Sequence, residues 1–181
     1  MNAYAELHCL TPFSFLRGAS TARELFARAK ANGYSALAIT DECSLAGIVR
    51  AHEASRTAGL PLIVGSEIRV EEGTTVVLLA QDRGGYANLC RIITAARSRA
   101  AKGSYCAQLG DLIGHHAGLA AILLPTDADG HIHRDSDAHA IERAAACCDR
   151  LWSGVDLHRC ADDAATLEAQ ERRDRLEVVL H

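Results

Sequence analysis

The sequence has no Cys-x-x-Cys pair, no glycine-rich phosphate loop and no Gly-x-Ser-x-Gly elbow, and each absence removes a class of chemistry. The seven cysteines, at positions 9, 43, 90, 106, 147, 148 and 160, are odd in number and irregularly spaced, which argues against a disulfide framework or a zinc ribbon. Gly84-Gly85 is not followed by Lys-Ser or Lys-Thr, so it does not cradle a nucleotide's phosphates. No apolar run approaches the ~18 residues that a membrane span needs, and the start of the chain lacks a basic patch followed by an apolar stretch. The expectation is a reduced, cytoplasmic protein with no membrane partner. Excess positive charge is missing too: 23 acidic residues face 19 basic ones, for a net charge of -4, so no general attraction to a phosphate backbone is expected. Internal repeats and low-complexity linkers are also absent.

What remains is a chain of 181 residues, 49% hydrophobic, enough to bury the core of one globular domain. Tyr4-Ala-Glu-Leu-His8 alternates like a short strand and runs into a loop with Pro12 and Gly18. Thr21 and Glu24 have capping-box spacing, which predicts a helix from there to Asn32-Gly33. Ala36-Leu-Ala-Ile-Thr40, Pro61-Leu-Ile-Val64 and Thr74-Thr-Val-Val-Leu-Leu79 read as buried strands, with a second helix over about 45–58 closed by Gly59. This alternation is that of parallel βα units joined by right-handed crossovers. A third helix is expected over 86–101, after Gly84-Gly85, and a buried strand at Leu119-Ala-Ala-Ile-Leu-Leu124. Beyond it, a polar loop at 126–137, helices near 138–148 and 162–179, and a strand near 152–157 complete the reading. The loop holds many Asp and His residues but lacks calcium-loop spacing, so it is expected to be solvated.

In parallel βα folds, ligands gather where the carboxyl ends of the strands converge. That rule selects His8, Asp41, Glu42, Glu67 and His158, whose imidazole and carboxylate groups are the usual ligands of zinc, manganese or iron. Simpler roles compete. Asp41, just ahead of a helix, is expected to cap it. His158 reads as a surface histidine after a strand. Glu67 is harder to dismiss, because an anion following an apolar run needs a cation or a metal.

Several strings resemble the opening of the PHP (polymerase and histidinol phosphatase) domain of error-prone DnaE-type DNA polymerases: Tyr4-Ala-Glu-Leu-His-Cys-Leu-Thr11, Phe13-Ser-Phe-Leu-Arg-Gly-Ala-Ser20, Ala36-Leu-Ala-Ile-Thr-Asp-Glu-Cys-Ser-Leu-Ala-Gly47 and Leu62-Ile-Val-Gly-Ser-Glu67. Val77-Leu-Leu-Ala-Gln-Asp-Arg-Gly-Gly-Tyr-Ala-Asn-Leu89 continues the likeness, and Asp156-Leu-His-Arg159 matches more weakly. The resemblance implies an α/β fold, a PHP-type distorted (βα)7 barrel with mainly parallel strands and a rim that holds metal ions in active relatives. Residues 1–181 are expected to form a single PHP-like domain, incomplete because it lacks the C-terminal strand or strands and all polymerase domains.

The same resemblance exposes departures from the active pattern. His8 matches the first histidine of Leu-His-x-His, but Leu10 stands in place of the second. Arg17 replaces a common aspartate, Glu42 replaces the histidine of Thr-Asp-His, and Glu67 is retained. A leucine deletes a ligand and a fixed cation repels a metal. The rim is therefore expected to be a degenerate metal site made of His8, Glu67, Glu42, Asp41 and His158, with no catalytic residue and room for at most one weakly held zinc or manganese ion. Arg17 is expected to pair with Glu42 or Glu67 in the vacated position.

The leading expectation is a structural segment of a damage-tolerant polymerase that uses magnesium. It would touch DNA only through that parent, with the remainder of the polymerase chain and other translesion-synthesis proteins as partners. A free-standing PHP phosphoesterase and a non-catalytic interaction domain are the alternatives.

Overall fold

The computed structural model describes residues 4–71, 75–124 and 151–154. Within them run β1 (Ala5–Glu6), α1 (Ala22–Ala31), β2 (Ala36–Ile39), α2 (Ile48–Ala58), β3 (Leu62–Arg69), β4 (Thr75–Ala80), α3 (Arg83–Ser98), α4 (Leu109–His115), β5 (Leu119–Leu124) and β6 (Leu151–Ser153). The strands form one curled sheet in the order β1-β2-β3-β4-β5-β6. Parallel pairing joins β1 to β2, β2 to β3 and β5 to β6.

One strand departs from the expected parallel alternation. β4 pairs antiparallel with both neighbours, Glu67 opposite Val77 on one side and Val77 opposite Ile122 on the other. The reason is length: β3 continues past Val64 to Arg69, so the chain folds straight back as a hairpin with no crossover helix. The other five strands run the same way, so the sheet is mainly parallel as expected.

Side-chain alternation divides the core. Leu37 and Ile39 of β2 pack with Phe26, Ala29, Ala51 and Ala54 of α1 and α2. Val76 and Leu78 of β4 pack with Leu89 and Ile92 of α3, and Leu112 of α4 joins them. The opposite face carries its own cluster of Ala38, Val77, Leu79, Ala120 and Leu124. The sheet is therefore apolar on both sides, as buried parallel strands require, and each fully buried Leu or Ile contributes about 1.5–3 kcal/mol. Glu67 lies opposite Val77, on the inner face, so the fold itself directs a carboxylate into that second cluster.

Helix boundaries agree with the sequence where caps are explicit. Thr21 accepts from the Glu24 amide while Glu24 accepts from the Thr21 amide, and Gly59 closes α2 in the left-handed region. α2 starts at Ile48, later than the expected 45. α3 starts at Arg83, ahead of the glycine pair, because the Asp82 side chain accepts from the Gly85 amide at 2.7 Å and caps it. Gly85 then presses against the turn before β5, where an added Cβ would meet the Gly118 carbonyl oxygen at 1.9 Å. α4 was not expected at all. The polar loop at 126–137, the helices near 138–148 and 162–179, and the end of the strand near 152–157 lie outside the described residues.

The glycines give a paired test. Gly85→Ala should lower stability to urea by roughly 1–3 kcal/mol, overpacking outweighing the helix preference for alanine. Gly110→Ala, in α4 with nothing within 4 Å of the new Cβ, should instead leave stability unchanged or raise it by up to about 1 kcal/mol. Equal effects at the two positions would contradict this packing.

Candidate functional site

β1 ends just before His8, β2 just before Thr40 and Asp41, and β3 carries Glu67 within its span, because the strand outruns the rim. Glu67 is 1% exposed. Transfer of such an anion out of water is costly unless charge and hydrogen bonds replace the lost hydration. Arg17 supplies both: its Nη1 donates to Glu67 Oε1 and its Nη2 to Oε2 at 3.1 Å. His8 Nε2 lies 2.8 Å from Oε2, the third contact. Both carboxylate oxygens are thereby satisfied. Burial alone would push the Glu67 carboxyl up, but the hydrogen bonds from His8 and Arg17, with the guanidinium charge, outweigh it and hold it below the ordinary value of 4.5. The Glu67 hydrogen bonds in turn push the Arg17 guanidinium above its usual range, against the effect of burial.

Arg17 also reaches sideways. Its Nη1 donates to Glu42 Oε2 at 2.9 Å, so one guanidinium bridges two carboxylates. The other Glu42 oxygen, Oε1, accepts from the Tyr105 hydroxyl at 2.8 Å, and that hydroxyl accepts the Arg69 amide at 3.2 Å. Burial is the main cause that pushes the Tyr105 phenol up, with the Glu42 contact adding to it. Arg97 completes the surround by donating to the Cys43 and Glu42 carbonyls at 3.1 and 3.4 Å. Cys43 itself adopts φ 43 and is fully buried, its amide donating to the Glu67 carbonyl.

Asp41 serves a different purpose from the one expected. α2 begins six residues beyond Glu42 and its first turn has no side-chain cap, so Asp41 does not cap it. Instead the buried carboxylate accepts from the Thr11 amide, the Thr11 hydroxyl and the Ser14 hydroxyl, each at 2.7 Å. The Ser14 hydroxyl also accepts the Glu42 amide at 3.0 Å. Asp41 thus ties down the turn that delivers Arg17, through contacts separate from those of Glu67.

The structure brings together His8, Glu42 and Glu67 around Arg17, sets Asp41 on the neighbouring turn, and places Leu10 half-buried with no donor to offer. His158 lies outside the described residues. Tyr105, Thr11, Ser14 and Arg97 are missing from the sequence expectations. A threonine and a serine flanking a loop beside a buried Asp could have suggested the Asp41 clasp; no spacing announces Tyr105, 63 positions from Glu42.

A divalent ion fits this donor set poorly. Both oxygens of Glu67 and both of Glu42 already accept hydrogen bonds, and a fixed guanidinium stands between them. Among the described residues no group of three or more His, Cys, Asp or Glu is arranged to hold a metal. Among them also, no helix is long and apolar enough to cross a membrane.

Known proteins place this geometry in context. The chain is 58% identical over 168 residues to an error-prone DNA polymerase of Pseudomonas aeruginosa, covering 93% of this chain and 16% of that protein. It is 50% identical over 171 residues to an error-prone DNA polymerase of Xanthomonas campestris, covering 92% of this chain and 15% of that one. The chain therefore spans about a sixth of the length of these relatives. A solved structure of a candidate metal-dependent phosphoesterase from Bifidobacterium adolescentis superposes with a TM-score of 0.62 at 19% identity, over 82% of this chain and 76% of that one. An amidohydrolase from Chromobacterium violaceum, solved with sulfate and no metal, gives 0.56 at 21% identity over the same shares, and both likenesses speak for the fold alone. The PHP domain family model matches residues 6–155, which takes in β2 to β6 whole and the last residue of β1, and on that match the chain belongs to the PHP domain family.

Proposed function

We propose that this chain is a structural PHP module of an error-prone DNA polymerase, a single domain across 1–181 in which a guanidinium has replaced the metal cluster of the family. The observation that carries the proposal is Arg17 bridging Glu67 and Glu42. A metal ion in such a rim would neutralise carboxylates, fix their geometry and supply an activated water. Arg17 does the first two and cannot do the third, since a guanidinium has no exchangeable water and stays protonated. His8, Glu67, Glu42, Asp41 and His158 are on this reading the remnants of the ligand set, with Leu10 and Arg17 at the substituted positions.

The polymerase relatives support the larger role. Nucleotidyl transfer with magnesium, across damaged DNA in the cytoplasm, belongs in this proposal to the remainder of the polymerase, which is also the first partner. DNA is met through that parent, and other translesion-synthesis proteins complete the partner set.

Calorimetric titration with zinc and with manganese should show no tight stoichiometric binding, neither ion should raise the thermal midpoint, and phosphomonoesters should not be hydrolysed. Two or three tightly held ions with turnover of phosphate would replace the proposal with a working phosphoesterase.

Arg17→Ala should destabilise the chain by about 2–4 kcal/mol, because it strands a buried anion with only His8 for company. Adding Glu67→Gln should recover part of that loss, since a neutral amide needs no cation. An additive double variant would mean that the two side chains do not depend on each other.

Acid should act through the same contact. Because the folded-state value of Glu67 lies below its unfolded 4.5, the carboxylate contributes stability that is complete above about pH 4.5 and is lost as pH falls through the folded value. Comparing wild type with Glu67→Gln in urea, the stability gap should narrow steadily below about pH 4.5. A gap independent of pH would rule out an ionised, stabilising Glu67.

A further inference from the structure

Phe15 and Leu16 are 83% and 91% exposed, the highest values of any large apolar residue among those described. Both sit at the tip of the turn that Asp41 clasps. Leu16 holds φ 64, a left-handed conformation that is unfavourable for a residue with a Cβ. The turn is nonetheless tightly tied. The amides of Arg17 and Gly18 both donate to the Ser14 carbonyl, and Gly18 sits so close that a Cβ there would lie 2.0 Å from the Thr11 carbonyl oxygen. Arg17, the next residue, is fixed by its two carboxylates. Phe13, at the base of the tip, lies under the Arg50 guanidinium, 5.5 Å from the ring centroid.

Ordinary surface apolar residues need no explanation, but a strained, braced turn that holds two of them in water does. Such a shape is that of an anchor already set in its bound conformation, where little side-chain freedom is left to lose on docking.

Size decides the occupant. An aromatic side chain and a leucine together cover roughly 300 Å², far below the ~1,200 Å² that a stable complex of separate proteins buries. A second copy or a free partner would not be held by this tip alone. A covalently linked partner would be, because linkage raises the effective concentration to the millimolar range for a short flexible connection. The polymerase relatives carry this region within chains about six times as long.

We propose that the Phe15–Leu16 tip is a wedge that seats in an apolar pocket on the polymerase body of the longer chain, anchoring the module to it. The proposal rests on the structural-module reading and names its docking point. On this account Arg17 has two jobs: it satisfies Glu67 and it fixes the direction in which the wedge points.

The test uses the Pseudomonas aeruginosa polymerase with its matching 168-residue region replaced by this whole chain, and p-benzoylphenylalanine introduced at position 15. Irradiation should crosslink position 15 to polymerase residues outside the replaced region. Phe15→Ser with Leu16→Ser should lower the thermal midpoint of this chimaera by several degrees while leaving that of the 181-residue chain alone unchanged. Crosslinks confined to this chain's own residues, crosslinks to a second copy, no crosslinks, or a chimaera indifferent to the double substitution would each overturn the wedge. Those results leave the structural-module reading standing if the metal titrations are silent. Tight metal binding with phosphate release, or a chimaera that cannot extend a primer with the wild-type turn, removes that reading and the wedge with it.

Discussion

A buried carboxylate is the constraint on which the rest of this structure depends. The hairpin register places Glu67 on the inner face of the sheet, opposite Val77 and beside an apolar cluster, where an uncompensated anion would cost several kcal/mol. The compensation that its two oxygens receive comes from outside the sheet, from Arg17 and His8. It comes from the turn after β1. That turn must therefore be held closely enough for a guanidinium to meet both oxygens of one carboxylate, and Asp41, Thr11 and Ser14 hold it there. A second acid, Asp41, is thus buried to position the cation that satisfies the first.

The same logic joins the two halves of the fold. β1, α1, β2 and α2 form a parallel half with its own cluster around Phe26, while β4, α3, α4 and β5 form a half around Leu89 and Ile92. β3 belongs to both. Glu42 stands at the seam: its side chain takes Arg17 from the first half and Tyr105 from the second, while its carbonyl takes Arg97. The left-handed Cys43 that follows is the bend by which the chain leaves β2 and reaches back across β3. These polar contacts link the two apolar clusters in addition to the β3 ladder that both share.

Much of this was legible from residue pattern, for identifiable reasons. The α1 cap at Thr21 and Glu24 and the Gly59 stop depend on contacts close in sequence, and the β5 run on its own unbroken apolar composition, and all three appear where the pattern puts them. The pairing of Arg17 with Glu42 and Glu67 could be anticipated because a cation and two acids in one rim have few other arrangements. The antiparallel β4 could not, since a buried strand has the same apolar composition in either direction and only the length of β3 decides. The early start of α3 is hidden in the sequence because glycine argues against helix, whereas here close approach to Gly118 demands one. The partners of Asp41, Thr11 and Ser14, precede it by about thirty residues, so its place just ahead of a helix suggests a cap that it does not form. Tyr105 was invisible for the same reason: its role exists only in three dimensions.

On the proposed reading, the replacement of metal by arginine changes what the rim responds to. Metal ions dissociate, exchange and compete, so a rim that depends on them is sensitive to chelation and to metal supply. Arg17 is covalently part of the chain, and its pKa, already raised by Glu67, removes it from titration at any physiological pH. Glu67, its pKa held down by His8 and Arg17, loses its charge only in acid. A module whose task is to hold a turn and the surface it presents gains from that exchange, because the geometry no longer depends on a ligand. An enzyme would lose by it, because the exchangeable position that admits a water or a phosphate is the one the guanidinium fills. On that reading the guanidinium that fills the exchangeable position is also the group that fixes the turn bearing Phe15 and Leu16 without any bound ion.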